Sequence, residues 1–145
     1  MTPDLPPVSE TRHRVNYSET DQMGVVYHAR YLVWLDVARC EHLRRTGISY
    51  ADVERRGLRL TVTDLRVRYR RPARYDDLVR VRCWVRECAS RRITFGYAVD
   101  LPAQDALLVT AETALLALAA DLSVTRLPPE VMRVLPASPD PVRLF

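Results

Sequence analysis

From His28 to Thr46 the chain carries one long stretch whose apolar residues do not keep to a single helical face. At 3.6 residues per turn, Tyr31, Trp34, Leu35, Ala38 and His42 fall on one stripe. Leu32, Val33, Val37 and Cys40 spread apolar surface well beyond it. Gly47, following Arg44 and Arg45, supplies the stop signal. A helix apolar over most of its circumference has to be buried on several sides. Whatever folds with it must be broad enough to enclose it, and that requirement limits the rest of the chain more than any other feature.

The remaining sequence supplies strands. Residues from about Ser9 to Tyr17 read as a first strand ahead of the helix. "SYADVERRG" reads as a short helix or turn with Ser49 as its cap, and after Gly57 the pattern changes to alternation. "LRLTVTDLRVRYRRPARYDD" alternates with a phase slip near Asp64, which predicts a bulge or bend. Leu78 to Cys88 alternates well, and "RRITFGYAVDL" follows a turn at Ala89 and Ser90. "LLVTAETALLALAA" is rich in helix-forming Ala and Leu. It is read as a strand because three strands precede it with hairpin-length links. "LPPEVMRVL" begins with prolines, where a short helix can start. The order predicts an α+β fold, with a curved antiparallel sheet wrapped around a long central helix. It is expected to form one domain over residues 1–145, with an ordered core over about 9–135. Pro3, Pro6 and Pro7 at one end, and Pro128, Pro129, Pro136, Pro139 and Pro141 at the other, predict loose or extended termini.

Composition narrows the function. The net charge is +4, and all 22 basic residues are Arg. Arg gives planar, bidentate contacts to phosphate, so an anionic partner fits. The densest basic run, "RVRYRRPARY", alternates as a strand and reads as a solvated face, and no nucleic-acid role is expected. Cys40, Cys83 and Cys88 are odd in number and lack metal-ligand spacing. A five-residue offset on one strand would turn Cys83 and Cys88 to opposite faces, so reduced thiols in a cytoplasmic protein are expected. "MTPDLPPVSE" has neither the basic start nor the apolar core of a signal peptide. No apolar run reaches the roughly 20 residues of a membrane span, so no membrane partner is expected.

The chemistry gathers in the loop before the helix. If the helix starts near His28, its first N–H groups have no intrahelical partners, and Val25, Val26 and Tyr27 offer no capping side chain. Those donors, at the positive end of the helix dipole, suit a substrate oxygen. Gly24 allows the loop to bend or a ligand to approach the backbone. Asp21, seven residues before His28, would face a carbonyl polarised by these groups, as acyl transfer requires. It could attack that carbonyl or deprotonate a water. The competing reading makes Asp21 a turn residue bonded to its own loop.

The stretch Tyr17-Ser18-Glu19-Thr20-Asp21-Gln22-Met23-Gly24-Val25-Val26-Tyr27-His28, followed by Tyr31 and "WLDVAR", resembles the signature of the 4-hydroxybenzoyl-CoA thioesterase family of hotdog-fold proteins. Within that family it is most similar to acyl-CoA thioesterases of the YbgC/FadM type. "YRRPARYDDLVRVR" and "RLPPEV" resemble two further family segments, so the likeness spans about residues 12 to 135. It implies a hotdog fold and a homodimer with a continuous sheet and interfacial active sites, commonly paired again into a homotetramer. It also implies hydrolysis of acyl-CoA thioesters with no metal or bound cofactor, coenzyme A being part of the substrate. On the same grounds Asp21 is the expected nucleophile or general base, and the backbone N–H of His28 the expected carbonyl donor. Tyr17, Gly24, Val25, Val26, Tyr27 and Tyr31 are the expected substrate-lining residues. Arg70, Arg71, Arg74, Arg91 and Arg92 are candidates for the coenzyme A phosphates.

Several residues receive structural readings. His13 is expected on a strand surface, His42 in helix packing and Glu19 in solvent, while Asp36 is expected to pair with Arg39 or Arg14. His28 and Asp36 lack helical i, i+4 ligand spacing, so no zinc or iron site is expected. The alternative function is a non-catalytic acyl-CoA-binding or regulatory module on the same fold. A dehydratase ranks last, because its His-bearing, proline-rich signature is not found in the sequence.

Overall fold

The computed structural model describes residues 5–145; Pro3, one of the prolines expected at a loose end, lies outside them. Five antiparallel strands form one sheet in the order β1-β3-β4-β5-β2. They are β1 (Ser9–Arg14), β2 (Arg59–Tyr69), β3 (Leu78–Cys88), β4 (Arg92–Leu101) and β5 (Ala106–Leu118). The helix α1 (Arg30–Arg44) lies against the β1–β3 side of the inner face, followed by α2 (Tyr50–Arg55) and, after the sheet, α3 (Pro129–Arg133). The strand–helix–four-strand order matches the expectation, including the Ala- and Leu-rich β5. The bulge expected near Asp64 is present as a register shift between Val62 and Asp64. Ser49 caps α2, its Oγ accepting from the Asp52 N–H at 3.1 Å while Asp52 Oδ2 accepts from the Ser49 N–H at 2.8 Å.

Four local expectations change. The first strand ends at Arg14, and a 3-10 turn takes over at Tyr17–Glu19. The helix begins at Arg30 rather than near His28 and ends at Arg44, with Gly47 in the left-handed region at φ 91°. The buried stripe is Tyr31, Trp34, Leu35, Ala38, His42 and Leu43, whereas Val33 and Val37 are about half exposed. A single chain therefore covers the helix on fewer sides than its composition predicts. Finally, a bulge between Val85 and Glu87 resets the parity of β3, so Cys83 and Cys88 both pack on the helix-side core. They nonetheless remain unpaired, as does Cys40.

The outer face of the sheet has a core of its own. Trp84, Ala98 and Leu144 are buried there, with Val8, Leu107, Val142 and Phe145 against them. Residues 136–145, expected to be loose, instead run as an extended strap across this face. Asp140 receives the Trp84 Nε1–H at 2.8 Å and both arms of Arg86 at 2.9 Å. Further along, the carbonyl of Leu144 accepts from the buried Thr110 hydroxyl at 2.5 Å and from Arg70 at 3.0 Å. Two more arginines pair on this face: Asp100 is gripped by Arg80 at 2.8 and 2.9 Å and by Arg82 at 3.0 Å.

Two tests follow from this packing. A Cβ at Gly96 would lie 2.5 Å from the Trp84 ring, which is wholly buried and cannot move aside. Gly96→Ala should therefore destabilise the fold by about 1–3 kcal/mol, read as a lower urea midpoint. His42 is buried, its Nδ1 at 2.6 Å from Ser9 Oγ. Burial and the nearby Arg45 charge push its imidazole down from 6.5 to about 4, against the opposing pull of the Cys83 backbone carbonyl as acceptor. Between those two values the unfolded chain takes up a proton that the folded chain refuses. Stability should fall as pH drops through this window, by about 3 kcal/mol at its foot, and stay level above it as far as this group is concerned. Denaturation curves at neutral pH and near the foot of the window should show the difference, and His42→Gln should flatten it.

Candidate functional site

The chain leaves β1 through the buried Val15, turns at Tyr17–Glu19 and forms a short loop whose feet are the bridged pair Thr20 and Val26. Inside the loop the Asp21 N–H donates to the Val25 carbonyl at 2.9 Å, and the Gly24 N–H donates to the Asp21 carbonyl at 2.9 Å. Gly24 sits at φ 78°, where a side chain would be strained. One carboxylate oxygen of Asp21, Oδ1, accepts the Met23 N–H at 2.8 Å, forming the Asx-type turn of the structural reading. The second oxygen accepts no hydrogen bond from a described residue. The turn reading of Asp21 is thus realised by one oxygen, and the other is left without a donor among the described residues.

Beyond the loop, α1 starts without a side-chain cap, its N-cap position being Ala29. The Arg30 N–H is taken by the Tyr27 carbonyl at 2.9 Å. The N–H groups of His28, Ala29 and Tyr31 meet no acceptor among the described residues. These are the donors that the sequence places at the helix entrance, although the regular helix begins two residues later than expected.

Asp21, Val25, Val26, His28 and Tyr31 line a cavity of about 330 Å³, with Met23 at its edge. Tyr69, Arg70, Arg71 and Pro72, from the end of β2, form the facing wall. Three hydrogen bonds hold the two walls together. The Val26 N–H donates to the Ala73 carbonyl at 2.9 Å, the Ala73 N–H donates to the Tyr31 hydroxyl at 2.9 Å, and the Tyr69 hydroxyl donates to the His28 carbonyl at 2.8 Å. Burial raises the Tyr31 phenol above its ordinary range despite the opposing Ala73 contact, so it stays protonated, and its O–H remains available as a donor.

Not every expected lining residue reaches this cavity. Tyr17 is 78% exposed and sits edge-on to Tyr75 at 5.6 Å. Tyr27 stacks on the His28 ring at 4.5 Å, outside the lining, and Gly24 shapes the loop rather than the wall. Of the five candidate phosphate-binding arginines, Arg70 and Arg71 border the cavity, whereas Arg92 is turned to Asp64 at 2.9 Å. Asp36 pairs with Arg39 at 2.5 Å and not with Arg14, and its side chain is largely exposed. Sequence reading overlooked Tyr69, the last residue of an unremarkable alternating strand, and Pro72 just beyond it. It also misplaced Glu19, which is not in solvent. Its carboxylate, with side-chain exposure of 13%, accepts from the Asn16 N–H, His13 and the Trp34 indole. Among the described residues no three His, Cys, Asp or Glu side chains converge as a metal-binding group. No described helix is long and apolar enough to cross a membrane.

The family described as the thioesterase-like superfamily matches residues 15–135. A putative acyl-CoA thioesterase, YneP of Bacillus subtilis, is 38% identical over 66% of this chain and 70% of its own length. The acyl-CoA thioester hydrolase YbgC of Escherichia coli O6:H1 is 32% identical over 68% of this chain and 73% of its own. Among solved structures, a DHNA-CoA thioesterase from Staphylococcus aureus superposes with a TM-score of 0.76 at 34% identity. That superposition covers 83% of this chain and 79% of the other. Tyr31→Phe would leave the buried Ala73 N–H without its acceptor. It should destabilise the protein by about 1–3 kcal/mol in denaturant titrations, with faster hydrogen exchange at Ala73 than at core strand amides.

Proposed function

This chain belongs to the thioesterase-like superfamily and carries its hotdog fold, and from that premise we propose that it hydrolyses the thioester of an acyl- or aroyl-CoA. The observation that carries this reading is the opening of two complementary groups onto one cavity. They are the Asp21 carboxylate with one free oxygen and the unclaimed N–H donors around His28. In the proposed reaction the thioester carbonyl oxygen lies against the His28 N–H, where negative charge grows as the carbonyl carbon becomes tetrahedral. Asp21 either attacks that carbon, giving an anhydride that water then cleaves, or takes a proton from the attacking water. Collapse of the tetrahedral species breaks the carbon–sulfur bond. On the general-base route Asp21 returns the water's proton to the departing sulfur, leaving thiol and carboxylic acid. On the nucleophilic route coenzyme A leaves as the thiolate, and water then opens the anhydride to the carboxylic acid, its second proton going to the thiolate as Asp21 is freed. The chain's own groups suffice for each proton and electron pair, so the proposal includes no metal and no resident cofactor. Val25, Val26 and Tyr31 line the acyl side, and Arg70 and Arg71 stand on the wall nearest a phosphate-bearing substrate.

The same reading includes assembly. The edge strand β2 leaves Val62, Leu65 and Tyr69 about half exposed, as are Val33 and Val37 on α1. A long bare edge with apolar side chains is a template for strand pairing, and a second copy joined there would extend the sheet and cover the helix. We place the protein in the cytoplasm as such a homodimer, its unpaired cysteines suiting a reducing compartment. Light scattering then distinguishes the dimer from a further pairing into a homotetramer.

The purified protein should release free thiol from acyl-CoA, measured across short, long, branched and aromatic acyl groups. Asp21→Asn should lower kcat about 10³-fold, with the circular dichroism spectrum unchanged. Tight acyl-CoA binding by calorimetry with no turnover across the panel would instead support the ligand-binding module.

A further inference from the structure

Glu19 lies two residues before Asp21 and is not one of the residues lining the cavity. Its carboxylate nevertheless gathers three donors from three parts of the chain. Oε1 accepts the Asn16 N–H at 2.8 Å and stands 2.7 Å from His13 Nε2 on β1, while Oε2 accepts the Trp34 Nε1–H at 2.6 Å. Resting on the hydrolytic reading above, we propose that Glu19 is the positioning residue of the site, setting where the Asp21 carboxylate stands relative to the start of α1.

Trp34 is itself fixed in the core. It is 3% exposed in the second turn of α1, its ring against Tyr31 at 4.8 Å and His13 at 4.9 Å. Its indole has a single donor, and that donor goes to Glu19. The backbone of Glu19 is tied into the same assembly. Its carbonyl accepts the Tyr27 N–H at 2.8 Å, next to the Thr20–Val26 bridge that closes the foot of the Asp21 loop. One residue therefore joins three things: the loop that carries Asp21, the chain entering the helix, and the helix itself. A local turn needs only the Asn16 contact, which the capping box at Asn16 already supplies. The reach to Trp34, fifteen residues away in sequence, does nothing for that turn. It fixes the loop to the element whose N-terminus supplies the carbonyl donors. Burial acts to raise the Glu19 carboxyl, but the donors from Asn16, His13 and Trp34 outweigh it and hold the group below its ordinary value. The anchor therefore stays ionised, and charge-assisted bonds of this kind are the stronger ones. Small displacements in the geometry of reacting groups cost rate far more than they cost binding.

The test uses full-length Glu19→Gln, Trp34→Phe and Asp21→Asn proteins, with Glu19→Gln also built on Asp21→Asn. Turnover is followed by thiol release from an acyl-CoA that the native protein hydrolyses. Glu19→Gln keeps the size of the side chain but loses one acceptor oxygen. Trp34→Phe keeps an aromatic ring and removes the donor. Each should lower kcat about 10- to 100-fold with KM within about twofold, because the lost element is alignment rather than binding. Glu19→Gln should have no further effect on the residual rate of Asp21→Asn, since it acts through Asp21. Native kcat in either Glu19→Gln or Trp34→Phe overturns the proposal, as does a Glu19→Gln effect equally large on the Asp21→Asn background. If Glu19→Gln does not fold, Trp34→Phe decides alone. Full turnover in Asp21→Asn removes the hydrolytic reading and this proposal with it. Loss in Asp21→Asn beside native kcat in Glu19→Gln removes the proposal and leaves that reading standing.

Discussion

The burial of one face of α1 against the inner face of the sheet is the constraint on which the other features depend. A helix of 15 residues is marginal by itself in water. Here Tyr31, Trp34, Leu35, Ala38, His42 and Leu43 leave water together, and each large aliphatic or aromatic member contributes about 1.5–3 kcal/mol. That total exceeds anything intrinsic helix propensity offers, so tertiary packing decides where the helix lies. Two of the same residues also act outside the core. Tyr31 accepts from Ala73 and lines the cavity, and Trp34 reaches Glu19. The helix entrance is therefore positioned by the core itself, and the missing cap at Ala29 leaves donors at a fixed point rather than at a frayed end.

Much of this was readable in the residues, for identifiable reasons. Strand β3 alternates well from Leu78 as far as Val85, and β5 is separable from a helix by its short links to the strands before it. The Asp64 bulge announced itself as a phase slip. The equivalent bulge after Val85 did not, because Arg86 and Glu87 are both polar and hide the lost residue of register; the facing of Cys88 was misjudged as a result. The helix start was placed early because no Ser, Thr, Asp or Asn marks it. Nothing in a polar run such as "NYSET" reveals that its one acid is claimed by a tryptophan on the next element. Asp21 stood out because glycine, an apolar run and an uncapped helix all surround it. The facing wall of Tyr69 and Pro72 did not, since it becomes a wall only when β2 folds back over the loop.

The two faces of the sheet solve different problems. On the inner side, helix and strands bury apolar groups with few charges, and the buried Tyr97 hydroxyl pairs with that of Thr113 at 2.7 Å and accepts from Arg39 at 3.1 Å. On the outer side, Arg80, Arg82 and Arg86 are neutralised by Asp100, Glu112 and Asp140, and Trp84 is closed over by Leu144. Three arginines that in composition look like part of a binding surface are thus paired with acids on one face.

The strap over that outer face also orders events in time. Asp140 meets Trp84 across 56 residues of sequence and Arg86 across 54, and the strap's residues follow every strand it crosses. Closing such long loops is entropically slow compared with forming the hairpins beneath them. During synthesis the helix-side core is complete once the segment after β5 has emerged as far as Leu135. The tryptophan on the back of the sheet stays wet until the strap arrives, so a nascent chain that reaches only Leu135 already has its interior but still carries a sticky reverse side.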